Sequence, residues 1–256
     1  MTLELRQIVS IDIAAPLGTV WQHLREPELV HRWYSWDHDG LNAEIQQVFV
    51  DGPTETQDVV GDETIHELHW PHHDTLTLRS AVHEPQHTHL TVTRRSHQGT
   101  STFDGIRDEV DEGWIAFAHQ LRFAVTVHPD QERRTLSSFG LPAGDRDDRL
   151  LDRAGLVGVR GVPIGGHVQA RRPDGTLLGG TLDYVTPLQI GLRLHGISEM
   201  YLVLMETPAA HTPPHGTVDA ILSTYGLDDI TFGQVQERWG RWWAQAVPRQ
   251  ARVTSA

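Results

Sequence analysis

The sequence predicts an α+β fold in which an antiparallel sheet is closed by a long helix, with that arrangement used twice. Three observations predict it. Short segments with apolar residues at every second position are separated by turn residues, which reads as strands joined in a meander. Residues 102–127 and a stretch starting near Asp228 or Asp229 instead carry apolar residues at steps of three and four, the helical period. The order of strands and then a helix occurs twice, and 256 residues is a comfortable length for two ordinary domains.

Taken in order, residues 5–13 form the first strand through Ile8, Val9, Ile11 and Ile13. Ala14-Ala15-Pro16 ends it, and proline suits the first turn of the helix that follows. Leu17, Val20, Trp21 and Leu24 fall on one face of that helix, and Pro27 stops it. A second short helix, 28–34, turns Leu29, Val30 and Trp33 inward. The stretch 20–39 carries Trp21, Trp33, Tyr34 and Trp36, so this elbow of two helices must face something large and apolar.

Residues 44–51, 62–69, 75–83 and 88–95 are the next strands, parted by Asp51-Gly52-Pro53, Gly61, Trp70-Pro71 and Glu84-Pro85. The helix 102–127 presents Ile106, Val110, Trp114, Phe117, Leu121 and Val125 on one side. Asp104, Asp108, Glu109, Asp111 and Glu112 near its start suit the positive end of the helix dipole. Gly113 removes a side chain in mid-helix at a cost of up to ~1 kcal/mol, a mark of a bend or a close approach. Residues 131–160 form a junction rich in Pro, Gly, Asp and Arg, with a short helix at 147–154. The strands 166–171, 176–185, 188–194, 200–206 and 218–223 follow. The last helix carries Phe232, Val235, Trp239, Trp242, Trp243 and Ala246 on its apolar side. The domains are thus 1–130, the junction 131–160, and 161–250. The segment GDETIHELHWPHHDTLTLR rhymes with GGTLDYVTPLQIGLR, which predicts a duplication whose second copy lacks most of the first strand and the elbow.

Composition removes several functions. Acidic residues outnumber basic ones 34 to 21, the formal charge is −13, and every basic residue is arginine. The arginines cluster only as the pairs 94–95, 133–134 and 171–172, so no basic face is offered to nucleic acid or anionic lipid. The absence of cysteine excludes disulfides, thiolate catalysis and Cys-based zinc sites. No apolar run approaches ~18 residues, and the N-terminal stretch lacks a signal-peptide pattern, so a cytoplasmic protein without a membrane role is expected.

A strand, two short helices, an antiparallel sheet and a long closing helix make a helix-grip. IDIAAPLGTVWQHLREPELVHRWYSWD resembles the opening of START-like (SRPBCC) domains, in the branch named for activators of a heat-shock-protein ATPase. DEVDEGWIAFAHQL resembles that family's closing helix, where a Gly-Trp pair introduces an apolar face. The resemblance covers residues 5–127 by motif and 160–247 by architecture alone. It implies a curved sheet wrapped around the long helix with a cavity between them, and no universal catalytic residue. Trp33 and Trp36 would then sit at the cavity mouth, with Trp114, Phe117 and Leu121 on its helical wall. Trp239, Trp242 and Trp243, with Tyr184 and Tyr201 on the sheet, would do the same in the second copy. Each of these residue types serves equally well as plain core.

Titratable groups point to little chemistry. The run from His66 to His73, with His83, His87 and His89, invites a metal, which needs three or four converging ligands. On a strand His66 and His69 point to opposite faces, so no metal site is predicted. The Gly-rich stretches lack a phosphate-loop lysine, and no cofactor is expected. His69, His119 and Asp111 are the candidates for acid–base work, with His69 favoured as a cavity residue. Arg79 and Arg193 hold matching places in the two copies and could anchor an acidic group. Three functions follow: binding of a small hydrophobic or amphipathic ligand, a polyketide cyclase or aromatase-like enzyme, or a cochaperone-like module that meets a protein partner or a second copy of itself.

Overall fold

The computed structural model describes residues 3–71, 74–97, 108–196 and 198–247. His72 and His73 of the histidine run, and residues 102–107 of the expected helix with Asp104 and Ile106, lie outside them, as do residues 248–250. The chain forms two compact units, Met1–Thr135 with Ser223–Gly226 and Leu136–Leu222 with Leu227–Ala256.

In the first unit β1 (Leu3–Ile13) leads into α1 (Leu17–Arg25) and α2 (Pro27–Val30). The strands β2 (Thr54–Val60), β3 (Glu63–His69), β4 (Asp74–Ala81) and β5 (Thr88–His97) then meander back to β1, giving the order β1-β5-β4-β3-β2. Every pair in this sheet is antiparallel. Helix α4 (Glu109–Val127) is capped by the Asp108 carboxylate, which accepts from the Val110 and Asp111 amides, and it packs on β1. This is the helix-grip.

Several elements depart from the sequence expectation, and in this unit α2 ends at Val30 and not at Tyr34. Residues 44–51 are not a strand but the end of α3 (Leu41–Ile45) and a π-helical turn, Gln46–Asp51. Leu41, Ile45 and Phe49 recur every four residues and are all buried, so the helical period outweighs the β-branched valines between them. Strand β2 carries no apolar alternation because every one of its side chains is exposed; it is held as an edge by β3 alone. A register shift between Gln7 and Val9 also turns the start of β1 over. Val9, Ile11 and Ile13 are buried, yet Leu5 is 62% exposed.

The second unit repeats the order with one more strand. It comprises β6 (Arg133–Pro142), α5 (Leu150–Arg153), a 3-10 turn (Val159–Gly161), the strands β7 (His167–Arg171) to β11 (Thr217–Tyr225), and α6 (Asp229–Ala246). Between them lie β8 (Leu177–Val185), β9 (Gln189–His195) and β10 (Met200–Thr207), and the sheet runs β6-β11-β10-β9-β8-β7. The first strand pairs with the last, as β1 does with β5. The second copy therefore keeps its first strand and a short helical elbow, both hidden in what reads as a junction because β6 is half exposed and α5 is a single turn. The rhyming segments are the hairpins β3-β4 and β8-β9. They match when strands are counted from the elbow and are one strand apart when counted from the closing helix.

Burial of titratable groups sets one pH dependence. The Nδ1 of His23, in α1, lies 2.9 Å from the Thr19 carbonyl and donates to it, while Nε2 is buried without a partner among the described residues. Burial pushes the His23 pKa below its usual 6.5 against the lesser upward pull of the Thr19 bond. Burial likewise lowers that of His66, whose ring stands edge-on to Trp21 at 4.8 Å. Below pH 6.5 the unfolded chain binds protons that the folded unit resists. Stability is thus full above that pH and falls as pH drops toward the lowered folded values. Urea midpoints at pH 7.5 and 5.0 should differ less in His23→Gln than in the native protein.

Candidate functional site

Inside the first unit, α4, the π-helical turn and the ends of β3 and β4 border a cavity of about 260 Å³. Trp114, Phe117 and Gly113 of α4 form one wall. Tyr34, Val48 and Trp70 form another, and Asp74, at the start of β4, supplies a carboxylate. The aromatic rings meet edge to face, the arrangement their quadrupoles favour. Trp70 lies 5.2 Å from Trp114 between centroids, Tyr34 4.9 Å from Phe117, and Phe49 bridges Tyr34 and Trp70 at 4.8 and 5.9 Å.

The polar groups of the aromatic residues in this cage are each engaged. Trp114 Nε1 donates to Asp74 Oδ2 at 3.0 Å, and Trp70 Nε1 donates to the Val48 carbonyl at 2.7 Å. Tyr34 Oη donates to Glu44 Oε1 at 2.7 Å. Burial first, and that bond second, push the Tyr34 phenol well above its usual range, so it stays protonated. Asp74 Oδ1 differs. Arg94 Nε stands 3.3 Å away as an ion-pair partner, but Oδ1 accepts no aligned hydrogen bond among the described residues.

Register brings Asp74 and Arg94 together, since they are directly opposed on β4 and β5. Arg94 Nη1 also reaches both Asp108 oxygens at 2.8 Å and Asp111 Oδ1 at 2.9 Å. Asp111 accepts in addition from Arg6 at 2.7 Å, a side chain aimed inward by the irregularity in β1. Burial alone would lower the Arg94 pKa; the hydrogen bonds to Asp111 and Asp108 outweigh it and raise the value. Asp74 therefore joins the aromatic cavity to a charged knot behind it.

Trp114 and Phe117 line this cavity, and Gly113 opens it. A Cβ at position 113 would meet only the Phe117 ring, at 3.4 Å, so neither a bend nor a close backbone approach requires the glycine. Trp33 is 1% exposed, donates to the His23 carbonyl at 2.7 Å and packs on Phe49; it does not line the cavity. Trp36 is half-buried beside His38, and Leu121 is buried in the core. His69 lies among Thr56, Glu67 and Thr75, whereas His66 is on the opposite face with Trp21. Asp111 belongs to the charged knot, and His119 meets Arg122 at 3.0 Å. Arg79 pairs with Glu63 on an exposed face.

In the second unit Trp239, Trp242 and Trp243 are buried in the core against the sheet. Trp242 donates to the Ala154 carbonyl at 2.9 Å and stacks on Trp243 at 4.8 Å. The Tyr184 hydroxyl donates to Gln189 at 2.7 Å, and Tyr201 donates to Asp183, which also pairs with Arg193. The Tyr184 ring covers Gly191, where any Cβ would overlap it.

Sequence reasoning misses Asp74, Tyr34, Val48 and Trp70 as cavity residues. The aromatic cluster around position 34 was a usable signal for Tyr34. Asp74 had none, because its partners lie 20 to 40 residues away and converge only through strand register.

No protein-family model matches the chain, and no curated protein matches it. The solved structures similar to the chain include two di-domain proteins. The di-domain ARO/CYC BexL from the BE-7585A biosynthetic pathway is 13% identical, over 95% of this chain and 91% of that one, with a TM-score of 0.31. The di-domain ARO/CYC StfQ from the steffimycin biosynthetic pathway is 12% identical, over 94% and 95%, with a TM-score of 0.30. At these values the likeness carries nothing about activity or about individual residues. Among the described residues no helix is long and apolar enough to cross a membrane.

Proposed function

We propose that the first unit holds a small, flat, largely apolar molecule in its helix-grip cavity. The observation that supports this most is the cage itself: Tyr34, Trp70, Trp114 and Phe117 stand around about 260 Å³, with the carboxylates of Asp74 and Glu109 beside them. Apolar walls with few polar anchors are what a small-molecule site needs. Asp74 and Glu109 supply the carboxylates that could receive a hydroxyl or N–H of the ligand.

A second reading, a polyketide cyclase or aromatase-like enzyme, is favoured by the Asp74 carboxylate. An aspartate beside an aromatic wall is placed to take a proton from a carbon acid, and Arg94 stands 3.3 Å from it as an ion-pair partner. The likeness of residues 11–37 to the heat-shock ATPase activator branch gives a third, protein-binding role. Trp33 at its centre is spent on the core, so this role has the least support.

Binding of 1-naphthol, followed by tryptophan fluorescence, separates these. Native protein should bind it at one per chain. Gly113→Leu, which projects a side chain into the cavity while improving helix propensity, should lose binding at least tenfold and remain folded. Equal binding by Gly113→Leu would sink the cavity reading. Asp74→Asn should keep naphthol within about threefold; if the protein is an enzyme, the same variant abolishes cyclisation of a poly-β-ketone substrate without loss of binding.

A further inference from the structure

We infer that the second unit carries a separate site for a small amphipathic anion, a carboxylate or phosphate on an apolar stem. A cavity of about 570 Å³ lies between residues 143–160, the strands β9 to β11 and the connection that follows β10. Its floor is apolar: Leu156, Val159, Ile190 and Val218 are all buried. Its rim is basic. Arg146, Arg149 and Arg160 line it, against the carboxylates of Asp152 and Glu206.

The ion pairs decide which charges are available. Arg160 is committed, pairing with Glu206 at 2.7 Å and donating to the Thr186 carbonyl. His215, also on the rim, pairs with Asp145 at 2.8 Å, and Asp148 is taken by Arg153 at 2.8 Å. Arg146 and Arg149 have no ion pair or side-chain hydrogen bond among the described residues. Two free guanidiniums three positions apart thus stand over a hydrophobic floor, with Asp152 as the one lining carboxylate that has no ion pair among the described residues. Guanidinium forks match the geometry of carboxylate and phosphate oxygens. The side chains of Leu156, Val159, Ile190 and Val218 offer nothing to a second charged end, so the ligand is amphipathic and not a dianion at both ends.

This site shares no residue with the aromatic cavity of the first unit. The test uses the full chain with decanoate, decyl phosphate, decanol and inorganic phosphate, read by calorimetry. Methyl-labelled Ile190 and Val218 report this site and Val48 reports the other. Decanoate and decyl phosphate should each bind at one per chain and shift Ile190 and Val218. R146Q/R149Q should weaken both by about fivefold to tenfold, the size expected of two exposed charge pairs, and leave decanol unchanged. R146K/R149K, which keeps the charge, should stay within about threefold of native. Both arginines are exposed, so an unaltered thermal midpoint verifies folding. Native affinity for decanoate in R146Q/R149Q, shifts confined to Val48, or no binding at all overturns the assignment. Saturation by inorganic phosphate as tight as by decyl phosphate would also overturn it, since the floor would then contribute nothing.

Discussion

Arg94→Ala should destabilise the first unit by about 3 kcal/mol, the low end of what removing one partner from a buried ion pair costs. The arginine neutralises Asp74, Asp108 and Asp111 at once, through contacts of 2.8 to 3.3 Å. Its side chain retains 21% exposure and that of Asp108 22%, so the full penalty of a dry interior does not apply. Without it Asp111 keeps Arg6, but Asp74 keeps only the Trp114 indole. The loss should shrink in high salt, which screens the remaining carboxylates from one another. Arg79→Ala is the internal control. Its pair with Glu63 is 45% exposed on both sides, and its removal should cost less than about 0.5 kcal/mol. Urea unfolding at low and high salt measures both. Equal effects of the two substitutions would show that the knot is no more than a surface pair.

Trp33→Ala should cost more, about 4 kcal/mol, in the range for truncating a buried aromatic to alanine. The indole is 1% exposed and stands edge-on to Phe49 and Tyr34 at 5.2 and 5.8 Å. Its loss leaves a void beside the aromatic cage and strips the His23 carbonyl of its donor. Trp33→Phe refills most of the volume but not the hydrogen bond, and should recover more than half of the loss. Ligand affinity should follow stability here, because Phe49 and Tyr34 lean on Trp33 and Tyr34 lines the cavity. If Trp33→Ala bound 1-naphthol more tightly with little loss of stability, Trp33 would be a gate and not core. Chemical denaturation followed by far-ultraviolet dichroism, alongside naphthol titration, distinguishes the two.

Where one periodicity runs through a whole element without a competing pattern, that element could be read from the sequence. The alternation in β4, β5, β8 and β9 and the three-four spacing in α1, α4 and α6 are properties of neighbouring residues, and burial of one face makes them visible. The tandem α+β arrangement followed from them. Tertiary structure alone decided three things. Leu41, Ile45 and Phe49 became helical and not extended because their period-four face had a core to fill. Strand β2 and the exposed half of β6 bury no apolar stripe, so they carry no pattern and exist through their neighbours' hydrogen bonds. The division of the tryptophans was the third. Trp33, Trp114 and Trp242 are alike as residues on apolar helix faces, but Trp33 and Trp242 donate to backbone carbonyls inside the core, while Trp114 donates to Asp74 at a cavity wall. That difference depends on strand register, which sets Asp74 opposite Arg94, and register is a relation between distant segments that no single stretch of sequence contains.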